Sequence, residues 1–299
     1  MSDQRPTVRP VTLSRLVELT HLCENGSMET AEVEDALDVT HRRARGTTLE
    51  AVRINLLSED DTKDEPTYAT TDVGGSFLNA IRGENWAQAS RILETHSPHY
   101  GAFVDAVEEV GCANLERLLK HLEDDQQFTP YSFNQTGIEV VSDWAERLGR
   151  VQRNAFSGNY YSPDGESIPS NFQFILLSVY DELEQTAGVD LRQRYLSIPQ
   201  LREAACERLG CRREAFNEAL LSICQENIGK LELSGAPMDT RAKDAALGIK
   251  QIELANDNGL VTTSQSSQQV MAGLEQFGKQ YYYLAVHDRD ITFTQEESQ

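Results

Sequence analysis

Three arginines in four residues, Arg42, Arg43 and Arg45, form the densest basic group of a chain whose formal charge is −21. Arg53 follows eight positions later. A guanidinium can hold phosphate as a charge or grip a guanine edge with two parallel hydrogen bonds. On a 100° wheel Arg42, Arg43, Gly46, Thr47, Glu50 and Arg53 share one side, and Ala44, Thr48, Ala51, Val52 and Leu56 share the other. The basic side is therefore expected to face outward. Its bland counterpart is a solvated helix face carrying ion pairs.

Two weaker basic groups occur later. Arg147, Arg150 and Arg153 precede Tyr160 and Tyr161. Basic and aromatic residues together can hold nucleic acid, although hairpin tyrosines usually pack across strands. Arg212 and Arg213 open a further helix just after Arg208, offset by Glu214, Glu218 and Glu226. The residues expected to touch nucleic acid are thus Arg42, Arg43, Arg45, Thr47, Arg53, Arg150, Arg153, Arg212 and Arg213.

Catalytic signatures are missing. Gly229-Lys230 and Gly278-Lys279 lack the upstream glycine and following hydroxyl of a phosphate loop, and there is no HExxH, GxSxG or GxGxxG. Cys23, Cys112, Cys206, Cys211 and Cys224 include no CxxC pair and read as reduced core thiols. His96 and His99 flank Pro98, which breaks a shared helical face. His287, Asp288 and Asp290 read as a polar strand end. No enzyme, metal or cofactor is expected.

Composition frames these groups. The 299 residues leave room for two or three domains, and 39% hydrophobic content is enough for real cores. No apolar run approaches the roughly 20 residues of a membrane span, and the start, MSDQRPTVRP, has no apolar stretch, so a cytoplasmic protein is expected. Acids number 48 against 27 basic residues, only six of them Lys. That Lys-poor acidic surface is the kind found in salt-loving organisms. In molar salt the Debye length is about 3 Å, so charge within contact distance matters more than total charge.

The elements that must position the arginines follow from pattern. Thr12 caps a helix to about Cys23, and a second helix starting at Ser27 or Thr30 carries Val33, Ala36 and Leu37. Asp38-Val39-Thr40 makes a turn into the Arg-bearing helix. Ser58–Pro66 reads as an acidic loop, Thr67–Thr70 as a strand, and Gly75–Ile81 as a helix. The run LDVTHRRARGTTLEAVRINLL followed by TYATTDVGGSFLNAIRGENWAQASRIL resembles the archaeal, in particular haloarchaeal, winged-helix transcription regulators. In them a Thr-x-x-Gly turn after the wing strand leads into a helix, the position of Thr71 to Gly74 here. The likeness spans roughly residues 11–95. It implies a DNA-binding helix-turn-helix, although winged helices also dock proteins. Glu59, Asp60, Asp61, Asp64 and Glu65 make the wing acidic, so it either stays off the DNA or meets a basic partner.

Beyond this, residues 97–125 read as helical, with Leu115, Leu118, Leu119 and Leu122 facing a core or a dimer partner. A polar joint follows at Glu123-Asp124-Asp125. Gly137–Leu148 reads as a helix, RVQRNAFSGNYYS as a hairpin and Asn171–Gln185 as an amphipathic helix. Two helices, Ile198–Leu209 and Cys211–Glu226, precede a strand at Lys230–Leu233. A strand is expected over Gly248–Leu254. A helix capped within Ser264–Ser267 should carry Val270, Met271, Leu274 and Phe277, and Tyr281–Val286 should form a last strand that must be covered within the domain or by a partner.

The expected fold is mostly α with small β-hairpins (α+β), as tandem winged-helix domains joined by helices. The expected divisions are 11–95 (N-terminal winged helix), 96–125 (helical extension), 126–189 (middle winged-helix-like segment) and 190–299 (C-terminal winged-helix-like domain). The expected function is non-enzymatic DNA binding, as a transcriptional regulator. The alternative is an adaptor subunit of a multiprotein DNA-handling complex, in chromosome maintenance or anti-phage defence. The partners are DNA and either other proteins or a second copy, with no membrane.

Overall fold

The computed structural model describes residues 7–62, 65–124, 131–163, 168–186, 195–235, 252–253, 260–261 and 270–294. They form two compact units. The first holds residues 1–151 with 250–264, and the second holds 152–249 with 265–299.

The first unit begins α1 (Leu13–Leu22), β1 (Met28–Glu29), α2 (Thr30–Leu37), α3 (His41–Arg53), β2 (Leu57–Asp60), β3 (Thr67–Thr70) and α4 (Asp72–Arg82). β3 lies between β1 and β2, antiparallel to both. This is the order and pairing of a winged helix. The turn between α2 and α3 works because Asp38 takes a left-handed conformation (φ 49°), one that Asp tolerates better than most residues. α3 buries Ala44, Thr48 and Ala51 against the α1 side, where Leu13, Leu16, Val17 and Leu19 are also buried. Part of the expected loop at Ser58–Pro66 is strand: Ser58 pairs with Ala69 and Glu59 with Tyr68, whose hydroxyl donates to Glu59 Oε1 at 3.2 Å. Lys63 and Asp64 lie outside the described residues.

Thr71 and Gly74 close this winged helix. The Thr71 hydroxyl accepts from Gly74 N at 3.0 Å, capping α4, and donates to Asn55 O at 2.6 Å. A Cβ at Gly74 would stand 2.2 Å from the Leu56 carbonyl oxygen, so only glycine allows α4 to approach the link after α3 this closely.

α5 (Trp86–His96), α6 (Pro98–Val110), α7 (Leu115–Asp124) and α8 (Gln135–Arg147) extend the unit. Leu118 and Leu122 are buried, whereas Leu115 and Leu119 are half-buried. Trp144 of α8 is fully buried, and its indole N–H donates to Val11 O at 2.9 Å. α8 therefore belongs to the core of α1, and the first unit runs past the polar joint at residues 123–125.

The second unit opens with a hairpin, β4 (Gln152–Arg153) and β5 (Tyr160–Tyr161), then α9 (Phe172–Thr186), β6 (Tyr195–Ser197), α10 (Ile198–Leu209), α11 (Arg213–Glu226) and β7 (Leu231–Gly235). Two-residue strands β8 (Ile252–Glu253) and β9 (Leu260–Val261) pair with each other and group with the first unit. β10 (Leu274–Gln276) and β11 (Lys279–Val286) finish the sheet. The expected middle segment is thus divided, its helix lying in the first unit and its hairpin in the second.

The second unit repeats the first. Helix, strand, helix, helix, strand and strand recur as α9, β6, α10, α11, β7 and β11, with β11 antiparallel between β6 and β7 as β3 is between β1 and β2. The turn before the second helix of each pair matches residue for residue. Leu37, left-handed Asp38, Val39 and cap Thr40 correspond to Leu209, left-handed Gly210, Cys211 and cap Arg212.

One expectation fails near the end. Leu274 lies in a strand, not a helix, because Phe277 (φ 55°) and Gly278 (φ 69°) turn the chain back and pair β10 with β11. Gly273 passes so close to β11 that a Cβ would stand 1.9 Å from Tyr281 O. The proposed cap at Ser264–Ser267 lies outside the described residues. The apolar last strand finds its cover within its own unit, the first of the two expected arrangements, since β7 pairs along one edge of β11 and β6 and β10 share the other.

Candidate nucleic-acid interface

The Arg face sits on the first half of α3. Arg42, Arg43 and Arg45 are exposed, and among the described residues none of them makes an ion pair. The Thr40 carbonyl accepts from Arg43 N at 2.8 Å and Ala44 N at 3.0 Å, which starts the helix and holds the three side chains at its N-terminal end. In a helix-turn-helix this is the part that enters a major groove. His41 beside them meets Glu34 of α2 at 3.2 Å.

Thr47 and Arg53 do not share this surface. Thr47 is buried, and its hydroxyl donates to Arg43 O at 2.9 Å. Glu50, expected on the outer side, is fully buried and 2.5 Å from Arg53 Nη2. Arg53 also donates to Thr7 O at 3.1 Å, and Arg9 N donates to Glu50 at 3.3 Å. The chain at Thr7 and Arg9 covers this part of α3, so the helix wheel alone misplaced both residues. Burial raises the Glu50 carboxyl above its ordinary value, although Arg53 and Arg9 pull the other way.

The later basic groups are spoken for inside the molecule. Arg150 meets Glu94 at 3.2 Å and also pairs with Glu108. Arg147 is buried against Asp143 at 2.9 Å. Arg153 lies over the Tyr160 ring, 5.7 Å from its centre, and its carbonyl accepts from Arg213. Tyr160 and Tyr161 are buried and offer no face to a base. Arg213 is buried in a bidentate pair with Glu203, at 2.6 and 2.7 Å. Arg212 serves as the half-buried N-cap of α11.

The internal repeat shows what this does to the second winged helix. With Thr40 matched to Arg212, the positions of Arg42, Arg43 and Arg45 are occupied by Glu214, Ala215 and Asn217. The first helix of its type is basic and the second is not. Sequence reading missed the two buried carboxylates, Glu50 and Glu203, that take arginines out of play. Glu50 stands three residues before Arg53, a spacing that permits a helical ion pair. Glu203 and Arg213 lie on different helices and carry no local signal.

Among the described residues, no group of three or more His, Cys, Asp and Glu is placed to hold a metal ion. No described helix is long and apolar enough to cross a membrane. Compared with family models and with curated proteins, the chain matches none.

Proposed function

We propose that this chain is a non-enzymatic DNA-binding protein, a transcriptional regulator, that reads DNA through the first half of α3. The observation that carries the reading is the contrast among its arginines. Arg42, Arg43 and Arg45 are exposed and have no ion-pair partner among the described residues, whereas Arg53, Arg150 and Arg213 are held by carboxylates. In a chain of charge −21, three exposed guanidiniums on a helix-turn-helix suit phosphate and guanine. Contact comes through the helix, because the wing presents Glu59, Asp60 and Asp61 to the solvent.

The test is binding to genomic fragments in molar KCl. Sequence-selective binding that is lost on Arg42→Ala/Arg45→Ala supports the reading, and absence of binding sinks it. A second reading, an adaptor that docks proteins within a DNA-handling complex, draws on the second winged helix. There the matching helix face carries Glu214 and Glu218 in place of a basic group. Stable co-purification with products of neighbouring genes, together with no DNA binding, would favour it.

A further inference from the structure

Gly46 sits within the basic face of α3. It follows Arg45 directly and lies one turn after Arg42 and Arg43, on the side of the helix that they share. Glycine inside a helix costs stability, because it gives up more backbone freedom than any other residue. Two structural reasons commonly offset that cost, and neither holds at Gly46. Its backbone is helical, not left-handed. A Cβ added to it would meet nothing within 4 Å, whereas at Gly74 and Gly101 it would stand 2.2 Å and 3.0 Å from a carbonyl oxygen.

The winged helix does not require the glycine either. Matching Thr40 to Arg212 sets Gly46 against Glu218, an exposed side chain in an unbroken α11. The match holds on both sides of it. Ala44, Thr47, Thr48 and Ala51 are buried, and so are their counterparts Phe216, Ala219, Leu220 and Ile223. Fold and packing thus accept a side chain at this position, and the first winged helix goes without one only on its basic helix. Gly75 of α4 is as open as Gly46, but its exposed helical neighbours are Asp72 and Asn79, with no basic residue within a turn. It serves as the comparison.

We propose that Gly46 is the point at which α3 meets the floor of a DNA major groove, so that the helix backbone seats against base-pair edges. A major groove is about 12 Å wide and a helix with its side chains about 10–12 Å across, so a side chain at the point of closest approach lifts the helix off the bases. Without one, Arg42 and Arg43 a turn earlier and Arg45 beside it reach bases and phosphates around that point. A missing side chain is a known means of bringing backbone close to a ligand. This inference rests on the reading of α3 as a DNA reader and sharpens it. The ligand is duplex DNA entered to the depth of the helix backbone, and not a single strand held by the arginine tips.

The test measures thermal unfolding of the full chain, and its binding to the duplex selected from genomic fragments in molar KCl, for wild type, Gly46→Ala, Gly46→Leu and Gly75→Ala. Stability and binding are expected to move in opposite directions at Gly46. Gly46→Ala should melt higher than wild type, as alanine favours a helix over glycine, and bind about tenfold more weakly, the loss expected of one base contact. Gly46→Leu should bind more weakly still. Gly75→Ala should also melt higher and bind as wild type does, and wild type should not bind the separated strands. A Gly46→Ala chain that binds as tightly as wild type overturns the inference and leaves the DNA reading standing. So does one that melts lower than wild type, since the glycine then serves the fold. Separated strands bound as tightly as the duplex also overturn the inference. A wild type that selects no duplex overturns the DNA reading itself, and this inference falls with it.

Discussion

Arg213 Nε lies 2.6 Å from Glu203 Oε1, and Arg213 Nη2 lies 2.7 Å from Glu203 Oε2. Both side chains are buried, and the pair joins the start of α11 to the middle of α10. Glu203 also accepts from Ala155 N at 2.9 Å, and Arg213 donates to Arg153 O at 2.7 Å, so the β4–β5 hairpin is tied to the same pair. Removing one partner strands the other charge. Arg213→Met is expected to cost about 3–5 kcal/mol in chemical denaturation, and replacing both residues by apolar ones of similar volume to cost far less. DNA affinity should be unchanged by the single variant, which separates structural arginines from those of α3.

Arg42, Arg43 and Arg45 should behave in the opposite way. Alanine at any one is expected to leave stability within about 0.5 kcal/mol, since each is exposed and has no ion-pair partner among the described residues. A variant that loses a phosphate contact should reduce the salt slope of DNA binding by about one, and one that loses a guanine contact should cost about 1–3 kcal/mol at one base position. Binding isotherms at several KCl concentrations distinguish the two.

Glu50 should leave a signature in acid. Burial raises its folded-state pKa above the unfolded carboxylate value, so the folded chain holds this proton more tightly than the unfolded chain does. Its contribution to stability is therefore greatest below the ordinary carboxylate range and falls as pH climbs through the folded pKa. Glu50→Gln is expected to remove that decline. Denaturation midpoints of wild type and variant, compared from acid to neutral pH, should converge on the acid side and drift apart as pH rises.

Gly74→Ala is expected to destabilise the first unit by about 1–3 kcal/mol, the cost of forcing an added carbon into a packed site. The added carbon meets backbone, the Leu56 carbonyl, which cannot swing aside as a flexible side chain could. Gly75→Ala, where a Cβ meets nothing within 4 Å, is the matched control. Thermal unfolding of the two variants makes the comparison.

At Phe277 the sign reverses. Asn tolerates the left-handed conformation that Phe277 holds, so Phe277→Asn is expected to raise stability by about 1 kcal/mol and to raise the melting temperature. A loss of stability would show that the Phe277 side chain packs within its own unit.

Much of the first winged helix is legible in the chain because its signals are local. Leu13, Leu16, Val17 and Leu19 repeat with helical spacing, and Asp38-Val39-Thr40 marks the turn. Thr71 and Gly74 mark the helix after the wing, and each fills the position its chemistry suggests. The hairpin at residues 152–161 and the helices α9, α10 and α11 are legible for the same reason. The Leu274–Phe277 stretch is not, although Val270 and Met271 before it are helical as expected. Its apolar spacing fits a helix, but pairing with β11 over Tyr281 to Lys279 outweighs that preference.

The amino-acid sequence by itself determined where the helices and turns lie, and that Arg42, Arg43 and Arg45 share one helical end. Those properties depend on residues within a turn or two of each other. Only the tertiary structure decided which arginines remain available. Arg150 is taken by Glu94, 56 residues away, and Arg213 by Glu203 on the preceding helix. Arg53 is taken by Glu50, which the chain at Thr7 and Arg9 helps to bury. A charge is free or paired according to what folding brings within about 4 Å of it, and spacing along the chain does not carry that information.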